Sequence, residues 1–157
     1  MELIFQNDGR LSEVIQKVGC FIRSCGACAE LHEDKELTAE QINSLLHYGR
    51  AKKIIDNKNN LLESAPLMTK ALRLLGNQKG YFAEVGIKRG GKISLYPWAE
   101  KRGISPDTFI QKIRQNGPNK YHFRVVNRKE ELVFDPHNPE IKCQGVEYTI
   151  CYKYMEK

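Results

Sequence analysis

Three side chains in this sequence have the chemistry of a thiol-based nucleophilic site, namely Cys20, His122 and Asp135. Cys20 follows Gly19 at the predicted start of a helix, where exposed amide groups and the positive end of the helix dipole favour the nucleophilic thiolate. The same amides can bind a developing oxyanion. His122 begins a predicted strand 102 positions later and is a candidate base. Asp135 ends the next predicted strand, where its carboxylate can orient the imidazole. Together the three residues predict a cysteine hydrolase.

The order and local context of these residues resemble the papain-like cysteine peptidases, and within them the small bacterial branch related to bacteriocin-processing peptidases. The chain is also similar to a small bacterial and phage-borne family of about this length, which has no assigned activity. The similarity extends from residue 11 to about residue 154, although each matching motif is short. The motifs are Gly19-Cys20-Phe21, residues 121–126 (YHFRVV), residues 133–136 (VFDP) and residues 36–43 (ELTAEQIN).

That resemblance implies a papain-like α+β fold in which Cys20 is the nucleophile, His122 the base and Asp135 the orienting carboxylate. In such enzymes a glutamine precedes the cysteine by several residues and donates to the oxyanion. Gln16 lies four residues before Cys20, closer than the familiar spacing, and is the first candidate for this role. Gln6 is the other candidate, with no local motif around it.

A second cysteine cluster, Cys25-Gly26-Ala27-Cys28, leaves an alternative nucleophile open. Cys25 ranks below Cys20, because the distance from Cys25 to the next predicted helix start at Thr38 is short for a full first helix. The cluster is also a candidate redox pair or, with His32, half of a zinc site. It lies inside a predicted helix, however, and the two remaining cysteines have no close pairing. Core packing is therefore favoured, and no metal or cofactor is expected.

Apolar residues at helical spacing and helix-capping residues predict four helices in the first half of the chain. A capping box formed by Thr38 and Gln41 opens the third helix, and Pro66 lies in the first turn of the fourth. The polar segment 56–60 is predicted to be a loop. The helices are expected over residues 11–18 (closed by Gly19), from Cys20 for about four turns, 38–49 (closed by Gly49) and 66–75 (closed by Gly76).

The second half of the chain is richer in β-branched and aromatic residues and predicts strands. The run 109–114 also fits a helix capped by residues 105–107, but a strand is favoured because residues 116–119 form a good reversal before the next strand. Residues 89–91 are expected to form a turn between the first two strands. Trp98 is explained better as a core or rim anchor than as the wall of a substrate cleft. The predicted strands are 81–87, 93–96, 109–114, 122–126, 131–134 and 146–154.

Length and composition predict one globular α+β domain over residues 1–157, helical over about 11–76 and sheet-forming over about 80–154. Of the 157 residues 41% are apolar and 28% charged, which is not the composition of a disordered chain. No apolar run reaches the roughly 18 residues of a membrane helix, and the opening segment lacks the features of a secretion signal. A cytoplasmic location without a membrane partner is expected, with the five cysteines as thiols.

The positive charge is concentrated in the second half of the chain. Residues 1–70 carry 9 Lys/Arg and 10 Asp/Glu, whereas residues 71–157 carry 16 and 9. Such an excess suits an acidic partner or nucleic acid, but the basic residues are scattered and accompany no nucleic-acid-binding motif. A solvated basic surface is therefore favoured.

Two functions follow from these patterns. The first is a thiol hydrolase that cleaves a peptide or amide bond in a peptide or protein substrate. The second is a non-catalytic interaction module of phage or mobile-element origin, whose basic half binds an acidic partner or nucleic acid.

Overall fold

A computed structural model describes residues 1–90, 93–117 and 120–157 of the chain. Helices lie mostly in the first half and an antiparallel sheet in the second, so the predicted α+β class is confirmed. The predicted turn at 89–91 and the predicted reversal at 116–119 each include residues outside the described ranges. None of the helices in the described part of the chain combines the length and the apolar character that crossing a membrane requires.

Four helices form where the sequence pattern predicts them. The Ser12 hydroxyl accepts a hydrogen bond from the Ile15 amide at the start of the first helix. Thr38 and Gln41 make both hydrogen bonds of the predicted capping box at the start of the third. The helices are α1 (Glu13–Val18), α2 (Cys20–Glu33), α3 (Ala39–Ala51) and α4 (Ser64–Leu74).

Gly19 separates α1 from α2, as predicted. Its amide donates to the Ile15 carbonyl and so completes the last turn of α1. A Cβ at this position would lie 2.5 Å from the Ile15 Cα, so only glycine allows the chain to turn this tightly. The break gives α2 its own N-terminus at Cys20.

The third helix ends later than predicted. Gly49 does not close α3, which continues to Ala51. Gly49 instead faces Ile55, and a Cβ there would collide with the Ile55 side chain. This glycine therefore serves close packing of the loop after the helix rather than helix termination.

The sheet contains five antiparallel strands in the order β1-β5-β2-β3-β4 within the described residues. The C-terminal strand β5 lies between β1 and β2, so the two halves of the sheet are joined by the end of the chain. The strands are β1 (Gly80–Arg89), β2 (Thr108–Arg114), β3 (Tyr121–Val126), β4 (Leu132–Phe134) and β5 (Gly145–Glu156).

The prediction of a strand over residues 93–96 is wrong. A short helix, α5 (Leu95–Lys101), occupies this region, and β1 pairs with β5 rather than with a following strand. Ser94 is its N-cap residue, and Leu95, Trp98 and Ala99 are its buried residues. Buried residues at positions i, i+3 and i+4 are the pattern of a helix that buries one side. Trp98 is 8% exposed and anchors α5 on the sheet.

Two apolar clusters cover the two faces of the sheet. The larger one joins α1 to α4 to the sheet and includes Ile110, Val125 and Ile150. The smaller one lies beneath α5 and includes Phe109, Val126 and Cys151. Neighbouring residues of one strand therefore belong to opposite clusters, as the alternation of a pleated strand requires. Helix α2 packs between α4 and β3, and Phe21 near its N-terminal end contacts Phe123 of β3.

Candidate active site

Cys20 is the first residue of α2 and is partly exposed. It lines a cavity of about 550 Å³ together with His122, Gln6 and Gln16. Because Gly19 ends α1, the first amides of α2 remain free of intrahelical partners at this point. The thiol therefore lies where backbone donors and an open cavity meet.

His122 and Asp135 form a buried hydrogen-bonded pair beside this thiol. The His122 ring is on β3 and 4% exposed, and its Nε2 lies 2.6 Å from Asp135 Oδ1. Asp135 directly follows β4, the neighbour of β3, and its carboxylate also accepts the amides of His137 and Ile141, each at 2.9 Å. Three donors thus fix the carboxylate, which fixes the ring. With Nε2 engaged, Nδ1 is the ring nitrogen available to Cys20.

The electrostatics of the pair favour a charged imidazole. Burial of the ring lowers the pKa of His122, but the hydrogen bond to Asp135 and the interaction with the Cys20 sulfur outweigh burial and raise that pKa from 6.5 to about 9. Burial raises the pKa of Asp135, but its bonds to His122 and to two backbone amides bring the net pKa below its usual range. The raised pKa of His122 and the lowered pKa of Asp135 both favour a charged imidazolium bonded to a charged carboxylate, next to the Cys20 thiol.

Two aromatic rings hold the helix end and the strand together. Phe21, next to Cys20, stacks on Phe123, next to His122, with ring centroids 4.0 Å apart and planes 5° from parallel. Offset and stacked aromatic pairs contribute about 1 kcal/mol beyond their buried area. Since each ring belongs to the residue after a site residue, the stack sets the approach of Cys20 to His122.

The other cysteines are less suited to nucleophilic chemistry. Cys25 and Cys28 lie in the interior of α2 at 0% and 2% exposure. Burial raises the pKa of both thiols, and it also raises that of Cys151, to about 12. Cys25, the alternative nucleophile, therefore has no access to the cavity that Cys20 lines. The described residues contain no group of three His, Cys, Asp or Glu side chains arranged to hold a metal ion.

Both glutamines considered as oxyanion donors line the cavity. The Gln16 side chain donates to the Leu11 carbonyl at 2.7 Å. The Gln6 side chain is 4% exposed and donates only over longer distances, 3.5 Å to the Ile15 carbonyl and 3.4 Å to the Gln16 carbonyl. Gln6 is thus less firmly engaged elsewhere and more completely enclosed than Gln16.

Gln6 reaches the site through a contact that no local sequence pattern reveals. Its backbone amide donates to the Pro136 carbonyl at 2.6 Å. The next residue, Asn7, exchanges two hydrogen bonds with Asn138, from its Nδ2 to the carbonyl at 2.6 Å and from the Asn138 amide to its Oδ1 at 3.1 Å. The N-terminal segment is therefore fastened to the loop that follows Asp135.

His137 lines the cavity but does not replace His122. Its Nδ1 lies 2.8 Å from the Pro139 carbonyl, and only its backbone amide bonds to Asp135. The ring is partly exposed in the loop after β4. His122 is thus the imidazole that the carboxylate orients.

Comparisons of the chain with family models, with curated proteins and with solved structures found no match. The arrangement itself contains a thiol at a helix N-terminus, an imidazole beside it and a carboxylate bonded to the far nitrogen of that imidazole. A thiol, a base and a group that orients the base are the components of nucleophilic acyl transfer.

Proposed function

We propose that this protein is a papain-like cysteine hydrolase that cleaves a peptide or amide bond through a thioester on Cys20. One observation carries the proposal. Cys20 and His122 line the same cavity, and the His122 ring is bonded through Nε2 to Asp135 at 2.6 Å. A thiol from α2 and an imidazole from β3 thus meet at one cavity, and the carboxylate after β4 is bonded to that imidazole, which supports a thiol, base and orienting group far apart in sequence.

In the first half of the reaction the Cys20 sulfur attacks the substrate carbonyl carbon, with the thiol proton on His122. The tetrahedral intermediate carries its negative charge on the former carbonyl oxygen. The carbon–nitrogen bond then breaks, and the departing amine takes the proton from the imidazolium. The acyl group stays on Cys20 as a thioester. Asp135 keeps the ring oriented and stabilises its positive charge without itself taking the proton.

In the second half a water molecule attacks the thioester while His122 accepts one of its protons. The carbon–sulfur bond breaks, the acid leaves, and the proton returns to the sulfur. The Cys20 amide at the start of α2 is placed to donate to the oxyanion in both halves. We assign the second donor to Gln6, because its amide is enclosed in the cavity and weakly engaged, whereas Gln16 is held by the Leu11 carbonyl.

We place this activity in the cytoplasm, acting on a peptide or protein substrate. The support is that the five cysteines are free thiols, which is the usual state in a reducing compartment.

Alkylation of Cys20 tests the proposal without a known substrate. Treated with iodoacetamide at neutral pH, Cys20 should react at least about tenfold faster than N-acetylcysteine amide, and His122→Gln should remove most of this advantage. Peptide mass spectrometry locates the label. Cys143→Ser is the matched control, because Cys143 is also partly exposed and should not affect the rate. A Cys20 that reacts no faster than the reference thiol contradicts the proposal.

A second candidate, a non-catalytic module that binds nucleic acid or an acidic partner, is favoured only by the charge excess of residues 71–157. It predicts binding that weakens steeply with salt. A filter-binding series without affinity at low ionic strength would remove it.

A further inference from the structure

Cys20 lies at the junction of two cavities. The first, about 550 Å³, contains His122. The second, about 260 Å³, is lined by Phe123 and Tyr148 on the sheet and by the loop residues Asn59 and Asn60. Val18 and Cys20 line both cavities. A chain that crosses the thiol can therefore place residues on either side of the scissile bond in separate pockets.

The charged side chains that line these cavities are positive. Lys17 and Lys120 line the first cavity and Lys112 the second. Among the described residues no aspartate or glutamate lines either cavity. Within the residues that the structure describes, no carboxylate lies within ion-pair distance of any of these three lysines. Their charge is therefore available to a ligand.

Lys112 is held in place by aromatic rings instead of by a carboxylate. Its ammonium lies 4.3 Å from the centroid of Tyr121, 5.3 Å from Tyr148 and 5.8 Å from Phe123. Tyr121 lines the first cavity, and the other two rings line the second. Cation–π contacts position an ammonium without neutralising its charge. Lys112 thus presents a fixed positive charge between the two cavities, close to Cys20.

We infer that the preferred substrate is an extended peptide with acidic residues near the scissile bond, on both sides of Cys20. The inference rests on the proposed function, because it assigns the two cavities to the chain on either side of the bond that Cys20 attacks. Opposite charge at a partly enclosed surface gives both affinity and selectivity, since a neutral or basic side chain leaves the lysines without compensation. A peptide is favoured over nucleic acid because both cavities converge on a nucleophilic thiol.

A pair of isosteric alkylating probes tests this inference. Iodoacetyl-Glu-amide and iodoacetyl-Gln-amide differ only in one negative charge, and the rate of Cys20 alkylation by each is read by intact mass. The Glu probe should react about fivefold faster than the Gln probe on the protein, relative to N-acetylcysteine amide, with the preference falling as salt rises. Lys112→Gln should reduce the preference and Lys112→Arg should restore it. Lys101→Gln, a change at an exposed position on α5 outside both cavities, is the matched control.

The outcomes separate the two claims. Equal rates for the two probes, or a preference that survives Lys112→Gln combined with Lys17→Gln and Lys120→Gln, overturn the inference. The Glu probe can react faster than the Gln probe on a Cys20 whose rate with the Gln probe is no higher than that of the reference thiol. That result supports the charge selectivity and contradicts the proposed hydrolase function. A single-stranded oligonucleotide that blocks alkylation more strongly than a poly-glutamate peptide assigns the lysines to nucleic acid and overturns the inference. Circular dichroism of each lysine variant verifies the fold.

Discussion

At the scale of single residues, His122 links the chemistry of the site to its stability. Its ring is almost fully enclosed, which alone disfavours the charged form. The net rise of its pKa to about 9 therefore means that the interactions with Asp135 and Cys20 outweigh the effect of burial. In the proposed reaction the His122 imidazolium is the general acid that gives its proton to the leaving amine.

The raised pKa predicts a specific loss of stability with rising pH. The folded protein holds the His122 proton more tightly than the unfolded chain, whose value is near 6.5. The stabilisation that this proton gives the folded protein is complete below pH 6.5 and is lost as the pH rises towards 9. The loss in the free energy of unfolding amounts to as much as about 3 kcal/mol. Urea unfolding at several pH values should show this decline in the wild type. Above pH 9 the buried thiols add their own dependence, so the comparison stops there.

Two variants make that measurement specific. His122→Asn removes the titrating group, and Asp135→Asn removes the carboxylate that raises the pKa, so both should flatten the decline. If the free energies of unfolding of the wild type and of His122→Asn change in parallel from pH 6 to pH 9, the folded protein does not stabilise the imidazolium, and the prediction is wrong. The lowered pKa of Asp135 acts at the other end of the scale, since its contribution is present above about pH 4 and is lost on acidification.

At the scale of elements, α2 carries both the proposed nucleophile and a fully buried ion pair. Arg23 and Glu30 are each 0% exposed, with Nη1 of one 2.5 Å from Oε1 of the other. Glu30 also accepts the Leu37 amide at 3.0 Å, and Arg23 donates from Nε to the Ile4 carbonyl at 2.5 Å. Burial raises the pKa of Glu30 and lowers that of Arg23. The pair thus fastens the N-terminal segment and the α2–α3 loop to the helix, at a considerable desolvation cost.

We expect Glu30→Gln to destabilise the protein by about 3 kcal/mol, because it leaves the Arg23 charge buried without compensation. The double variant Arg23→Met, Glu30→Met removes both charges and should recover most of this loss. Chemical denaturation of the wild type, Arg23→Met, Glu30→Met and the double variant gives the coupling energy. A Glu30→Gln cost below about 0.5 kcal/mol, the range of surface substitutions, would contradict a buried ion pair.

The helices and strands that depend on local sequence signals are predictable from the sequence. Gly19 and the helical spacing that follows place Cys20 at a helix start, and the β-branched run after His122 places the imidazole on a strand. Helix α5 is not predicted, because Ile93, Leu95 and Tyr96 make the segment largely apolar, and a short apolar run does not distinguish strand from helix. The signals for a helix were Ser94 as a cap and Pro97 in the first turn.

Other features were beyond local reasoning. Arg23 and Glu30 have the residue types of a surface helix, and only the packing of α2 between α4 and β3 shows that they are buried. Gln6 enters the site through a bond to Pro136, 130 positions away. Neither contact leaves a periodic pattern in the sequence, because each depends on how distant segments pack.

At the scale of the whole molecule, the site depends on contacts between the two ends of the chain. The N-terminal segment supplies Gln6 and is held by the loop at 136–138, while β5 near the C-terminus joins β1 to the rest of the sheet. The site therefore assembles only when the helical and sheet parts have both formed. Loosening of the N-terminal segment should affect the cavity before it unfolds the protein.

Asn7→Ala tests this dependence. The change removes both hydrogen bonds to Asn138, which are partly solvated, and should cost about 1 kcal/mol. For a chain of this size that corresponds to a fall of roughly 3 °C in Tm, and acylation of Cys20 by p-nitrophenyl acetate should slow because the proposed oxyanion donor Gln6 is less firmly placed. Asn57→Ala, at an exposed position in the loop after α3, is the control and should alter neither. An unchanged Tm and rate in Asn7→Ala would show that the segment does not support the site.

The central claim is that Cys20 forms a thioester with help from His122, and acylation by p-nitrophenyl acetate tests it most directly. We predict a burst of p-nitrophenolate equal to one equivalent of protein, an acetyl group on Cys20 by peptide mass spectrometry, and slower turnover afterwards. Cys20→Ser and His122→Gln should each slow the burst by about a hundredfold or more. Absence of a burst, or acetylation confined to lysines at a rate that these two variants leave unchanged, would contradict the proposal that this protein is a cysteine hydrolase.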